Sequence, residues 1–158
     1  PTIGTGGINW SGIIGIGMCL SFVCVTLRFA GSFTYFIDLN SILFVLIIPF
    51  ALCSSASGFN LTLRTYRTLS WFIIKPKQET NTQQMLPVIR MLIIYCYSSG
   101  LLGSFIGFIA IFSNITPTNP DFWTATAVAL MPIFWGVLLA ELAFRPLKHK
   151  IEQLLLNI

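Results

Sequence analysis

Residues 91–120 read MLIIYCYSSGLLGSFIGFIAIFSNITPTNP, a stretch without one charged side chain. A helix needs about 20 mainly apolar residues to cross the hydrocarbon of a bilayer, so this run has the length and character of a membrane span. Inside it Gly100, Gly103, Ser104 and Gly107 recur at steps of three and four, which places them on one stripe of a helix. Lipid gives helices no water-driven reason to associate, and stripes of small residues let their backbones approach closely instead. The stripe calls for a partner helix.

The rest of the chain supplies further spans. The 158 residues are 55% hydrophobic and 9% charged, with mean hydropathy +0.82, whereas soluble domains carry about 25% charged residues. Spans are expected at about 10–27, 41–59, 90–112 and 123–143. The first lacks a basic n-region and a small-x-small cleavage site, and so reads as a retained span and not as a signal peptide. The runs are continuously apolar, where a membrane barrel would need alternation. The expected fold is an all-α membrane protein with four transmembrane helices, in a single domain over residues 1–158.

Charge sets the expected orientation. Arg64, Arg67, Lys75, Lys77 and Arg90 lie between spans two and three; Arg145, Lys148 and Lys150 follow span four; only Arg28 falls in the loop between spans one and two. The positive-inside bias then puts both termini and the short central loop in the cytoplasm, with loops 28–40 and 113–122 outside. Trp10, Tyr35, Trp71 and Trp123 fall where interfacial aromatics belong. The net charge of +4 follows from topology and gives some affinity for anionic lipid, with no indication of nucleic acid. Leu61, Leu63, Tyr66, Leu69 and Phe72, with Arg64 and Arg67, suggest an amphipathic helix continuing from span two and ended by Pro76. Residues 77–84 read as a polar link. In the tail, 146–158, Leu147, Ile151, Leu154 and Leu155 share one face of a second amphipathic helix.

Groups that could carry chemistry are few. Cys19, Cys24, Cys53 and Cys96 lie inside expected spans without CxxC spacing, which favours apolar packing over a metal site or disulfide. His149 sits between two lysines in the tail, and no nucleophile–base pair can be assembled. Neither an enzyme nor a cofactor is expected. None of the five acidic residues, Asp38, Glu79, Asp121, Glu141 and Glu152, lies at mid-span.

In span four, Ala125, Ala129, Pro132, Gly136, Ala140 and Ala143 step by three or four, a second small-residue stripe matching the first. Two readings stand: the stripes pack on each other within the chain, or they form a shared, pore-lining surface that receives another subunit's helix. Ser104 and Thr126 are candidate ion-path hydroxyls, although membrane hydroxyls commonly bond to the preceding turn of their own helix. Glu141 is either a carboxylate snorkelling beside Arg145 or a proton relay at the inner end.

Three passages together resemble the MotA/TolQ/ExbB superfamily. The run 31–45, GSFTYFIDLNSILFV, is similar to the start of the second span in MotA-type stators, with Asp38 and Ser41 in place and Asn40 where a proline is usual. The run 100–107, GLLGSFIG, resembles the third-span G-x-x-G-T-x-x-G, with serine for threonine. Gly136-x-x-x-Ala140-Glu141, followed by Pro146, is similar to the end of the fourth span, with glutamate where asparagine is common.

The resemblance implies a ring, a pentamer of such chains around two copies of a single-span MotB/ExbD/TolR-like partner. It would be a proton-channel subunit of a motor driven by the proton-motive force across a bacterial inner membrane. The chain departs from stators in its short loop between spans two and three, where they carry a much larger cytoplasmic domain. Pro132 and Ile133 stand where the family tends to place threonines, which removes oxygens a sodium ion would need and favours protons. The alternative is a non-conducting membrane scaffold or assembly subunit. A small multidrug-type transporter fits less well, for want of a mid-span carboxylate.

Overall fold

The first long rod of the bundle, α2 (Leu39–Ser57), starts where Asp38 turns its carboxylate back onto the chain, accepting from the amides of Asn40 at 3.3 Å and Ser41 at 3.2 Å. The hydroxyl of Ser41 donates to the same carboxylate. These bonds satisfy amides that open a helix and have no partner within it. At its other end Gly58 takes φ +85°, a conformation that costs glycine little, and the chain bends into α3 (Phe59–Arg67). The structure, a computed structural model, describes residues 10–29, 38–69 and 82–156. Tyr35, Trp71, Phe72, Lys75, Pro76, Lys77, Glu79 and residues 31–37 of the quoted motif lie outside them.

Preceding α2 is α1 (Trp10–Phe29), and following α3 is α4 (Thr82–Asn114), 33 residues long. A turn at 115–120 leads to a broken rod: α5 (Asp121–Ala129), α6 (Met131–Leu138), a π-helical turn (Leu139–Phe144) and α7 (Arg145–Leu156). All described elements are helical. The break at Leu130 follows from Pro132, which has no N–H to give to the preceding turn. The π turn has a similar origin. Arg145 donates its amide to the carbonyl of Ala140, five residues back, and Pro146 beside it has no amide to offer.

Leu39–Ser57, Gln83–Asn114 and Asp121–Gln153 are long and apolar enough to cross a membrane; the apolar stretch of α1, Gly17–Phe29, is shorter. These are the dimensions of a multi-pass membrane protein. The central rod is α4, on which α2, α3, α5, α6, the π turn and α7 all pack. By contrast α1 stands apart, with Met18, Phe22 and Phe29 largely exposed, and borders the rest along a groove that ends on Leu142.

At 1.5 Å per residue α4 is about 50 Å long, well beyond the roughly 30 Å of hydrocarbon. Its excess lies at the basic end of the bundle, which carries Arg64, Arg67, Arg90, Arg145, Lys148 and Lys150. Residues 82–84, expected in a polar link, are the first turn of α4, because the helix they open has a face to bury. That face, Met85, Val88, Ile89 and Leu92, closes against Phe144, Leu147 and Ile151, all at most 1% exposed. The tail helix is thus docked on α4, and Arg90 clasps it through Glu152 at 3.2 Å.

The remaining side of this core is covered by α3, through Leu61, Tyr66 and Leu69 of the face expected for it and through a row of threonines beside them. The fully buried row is Thr62, Thr65 and Thr68, each donating its hydroxyl to a carbonyl of its own helix or of the turns at its ends. A threonine satisfied this way presents its methyl to the core. Leu61, Tyr66 and Leu69 flank the row, and Tyr66 bridges Phe50 and Phe144 edge-on at 5.3 and 5.7 Å.

The best-packed region is therefore at the basic end. Phe144→Ala should leave a cavity there and cost about 3–5 kcal/mol. Ile109→Ala, at a 66% exposed position of α4, should cost little. Thermal unfolding in detergent micelles of the two variants beside the unmodified chain checks the contrast.

Candidate functional site

The two small-residue stripes face each other along the seam between α4 and the α5–α6 rod. A Cβ placed on Gly136 would stand 2.6 Å from the carbonyl oxygen of Cys96 and 3.2 Å from Cα of Gly100. One on Gly103 would stand 2.8 Å from the Pro132 ring and 3.1 Å from the ring of Phe44. Gly100 meets the Pro132 carbonyl, and Gly107 meets Ala129, at similarly short range. Backbone touches backbone, so no third helix fits between these faces. Of the two readings the stripes allowed, packing within the chain is the one the coordinates contain.

The other members of the span-four stripe follow the same face. Ala129, Pro132, Gly136 and Ala140 are buried, and Ala125 and Ala143 are half-buried. At the end away from the basic residues, Ile111, Phe122 and Ala129 form a smaller core with Phe108, Ile115 and Ala125.

Polar groups are spaced along the seam. Near its far end Thr126 donates to the carbonyl of Phe122 at 2.7 Å, and in the other half Ser99 donates to that of Cys96 at 3.1 Å. Between them Ser104 is 2% exposed and has no hydrogen-bond partner among the described residues. A buried hydroxyl normally finds a partner, and one without invites a water or another polar group. Ser98 is exposed.

At the basic end the π turn carries Glu141. Its carboxylate accepts from the hydroxyl of Tyr97 on α4 and pairs with Arg145 at 2.8 Å. The Arg145 neighbour expected of a snorkelling carboxylate is in place, and Tyr97 adds a hydrogen bond from α4. The sequence reading missed Tyr97, which lies 44 positions away from Glu141 and in an apolar run. Pro146 was the available signal for the bulge that presents Glu141. Asp38 and Ser41 lie at the opposite end, and the contacts they make are those of a helix cap.

Other candidates are accounted for structurally. Cys19 and Cys24 are exposed free thiols, and Cys53 and Cys96 are buried free thiols in the basic-end core. His149 is exposed on α7, 3.5 Å from Glu152. Among the described residues no cluster of His, Cys, Asp and Glu could hold a metal ion. The buried Tyr66 hydroxyl lacks a partner, and burial pushes its ionisation above the ordinary phenol range, so it stays neutral.

Compared with known proteins, the chain matches no family model and no curated relative.

Because Gly136 is in backbone contact, Gly136→Leu should force the seam apart. Overpacking costs about 1–3 kcal/mol, which corresponds to roughly ten- to a hundredfold faster opening. Hydrogen exchange read by mass spectrometry should show that acceleration in peptides spanning 96–104. Gly17→Leu, whose Cβ meets nothing within 4 Å, should leave it unchanged.

Proposed function

We propose that this chain is a ring-forming ion-channel subunit of a rotary motor driven by the proton-motive force in a bacterial inner membrane. In this reading α1 is a fourth span, both termini and the basic end are cytoplasmic, and five copies surround a single-span MotB/ExbD/TolR-like partner present in two copies. The support is the order of the three family-like passages along the chain together with one structural observation: the polar groups of the seam. A hydroxyl without a partner, Ser104, sits in its middle, and a hydrogen-bonded carboxylate, Glu141, sits at its cytoplasmic end.

The chemistry these residues can do is limited and specific. Ser104 can hold a water within the hydrocarbon, both donating to it and accepting from it. Glu141 can take a proton on an oxygen now shared with Tyr97 or Arg145, losing the ion pair as it does so. Between them there is no carboxylate, so the titratable group at mid-membrane has to come from the partner helix lying beside the seam. Each proton moving down the gradient supplies about 2.3 kcal/mol per 100 mV. The docked α3–α4–α7 end, and not a separate domain, is then the surface through which the cytoplasm is engaged.

A non-conducting scaffold is the second reading, and the closed seam favours it: the small-residue stripes are fully explained by packing within the chain. Flux separates the two. In proteoliposomes under an imposed gradient, the chain alone should take up no protons. Adding the single-span protein that co-purifies with it should start uptake. Ser104→Ala should cut that uptake about tenfold while the complex still forms. Assembly with the partner but no uptake favours the scaffold, and uptake by the chain alone contradicts the shared channel.

A further inference from the structure

Beyond Pro132 the seam opens. There α2, α4 and α5 border a groove of about 450 Å³ on the side away from the basic end. Phe44, Gly103, Ile106, Gly107, Ala129 and Pro132 are among the residues that make it apolar along its length, and its polar lining consists of Asp38, Asn40 and Ser41 at the start of α2. The groove is greasy throughout and polar at one end, and that end falls at headgroup level when α2 crosses a bilayer.

We propose that this groove is a lipid site: it holds one acyl chain of an aminophospholipid, with the ammonium of the headgroup at Asp38. The inference uses the membrane placement of the chain and is independent of ion flow. Size favours an acyl chain over a helix. A helix with its side chains is about 10 Å across, so ten residues fill on the order of 1,000 Å³, more than twice the groove. A single hydrocarbon chain is thinner and lies along the groove.

Charge selects the headgroup. Among the described residues, Asp38 is the one ionisable residue lining the groove. Its carboxylate has about four acceptor positions; among the described residues the amide and hydroxyl of Ser41 occupy Oδ2, and Oδ1 accepts from the Asn40 amide. A position on Oδ1 therefore remains for a donor. Among the described residues no cation lines the groove to receive a phosphate, so an anionic glycerol headgroup has nothing to recommend it, and the ethanolamine ammonium does.

The test is native mass spectrometry of the protein extracted from vesicles of equal phosphatidylethanolamine and phosphatidylglycerol. The unmodified chain should keep one phosphatidylethanolamine per copy, with a preference of about tenfold, the worth of one charge-assisted hydrogen bond. Asp38→Asn keeps a residue equally suited to capping α2, so the lipid should stay bound while the preference falls below about twofold. Ala125→Phe fills the groove and should abolish retention of both lipids, with elution and helical content as in the unmodified chain. Retention of no lipid, or an unchanged preference in Asp38→Asn, overturns the proposal. So does efficient disulfide formation between copies through Val128→Cys, which would assign the groove to a second copy of the chain.

Discussion

Backbone contact between Gly136 and the Cys96–Gly100 turn of α4 is the constraint on which the bundle depends. In a membrane, two helices gain little by bringing leucines together, since lipid tails serve as well. They gain by closing to a distance only glycine allows, where dispersion contacts accumulate along both backbones. Once α4 and α6 are held at that distance, α2 has one side left on α4, and the rest of the rod must diverge wherever larger residues intervene. The break at Leu130 and the π turn at Leu139–Phe144 are the two places where the long rod adjusts.

Those adjustments divide the molecule into unequal halves. Toward the basic end, α3, α4 and α7 bury a dense core, with the Arg90–Glu152 ion pair joining α4 to α7 at its surface. Toward the other end the helices separate, the core is small, and a groove remains. In the proposed orientation, a densely packed cytoplasmic end and an open outer half suit a subunit that is gripped on one side and meets lipid or a neighbouring helix on the other. The proposed mechanism uses the same division, with a hydrogen-bonded carboxylate where the structure is firm and an unpartnered hydroxyl midway.

Periodicity made much of this legible. The glycine steps of span three and the alanine–glycine steps of span four identified the faces that meet, because spacing by three and four has one geometric meaning on a helix. The buried faces of the tail, Leu147 and Ile151, were readable for the same reason. What spacing could not reveal was which partner each stripe finds, since Gly100 against Gly136 and Gly100 against another chain look identical in sequence. On α3 the expected Leu61, Tyr66 and Leu69 do pack on the core, but polarity alone hid the more deeply buried row beside them, threonines satisfied by their own helix. The Tyr97–Glu141 pair and the groove exist only in three dimensions: one joins distant positions of the chain, and the other is space left where α5 leaves the line of α6.

A ring of this chain built around a partner helix has a defined stoichiometry. Native mass spectrometry of the complex drawn from its own membrane should give five copies of this chain with two of one single-span protein. A monomer or dimer, or a defined complex with a large soluble or multi-span protein instead, would contradict it.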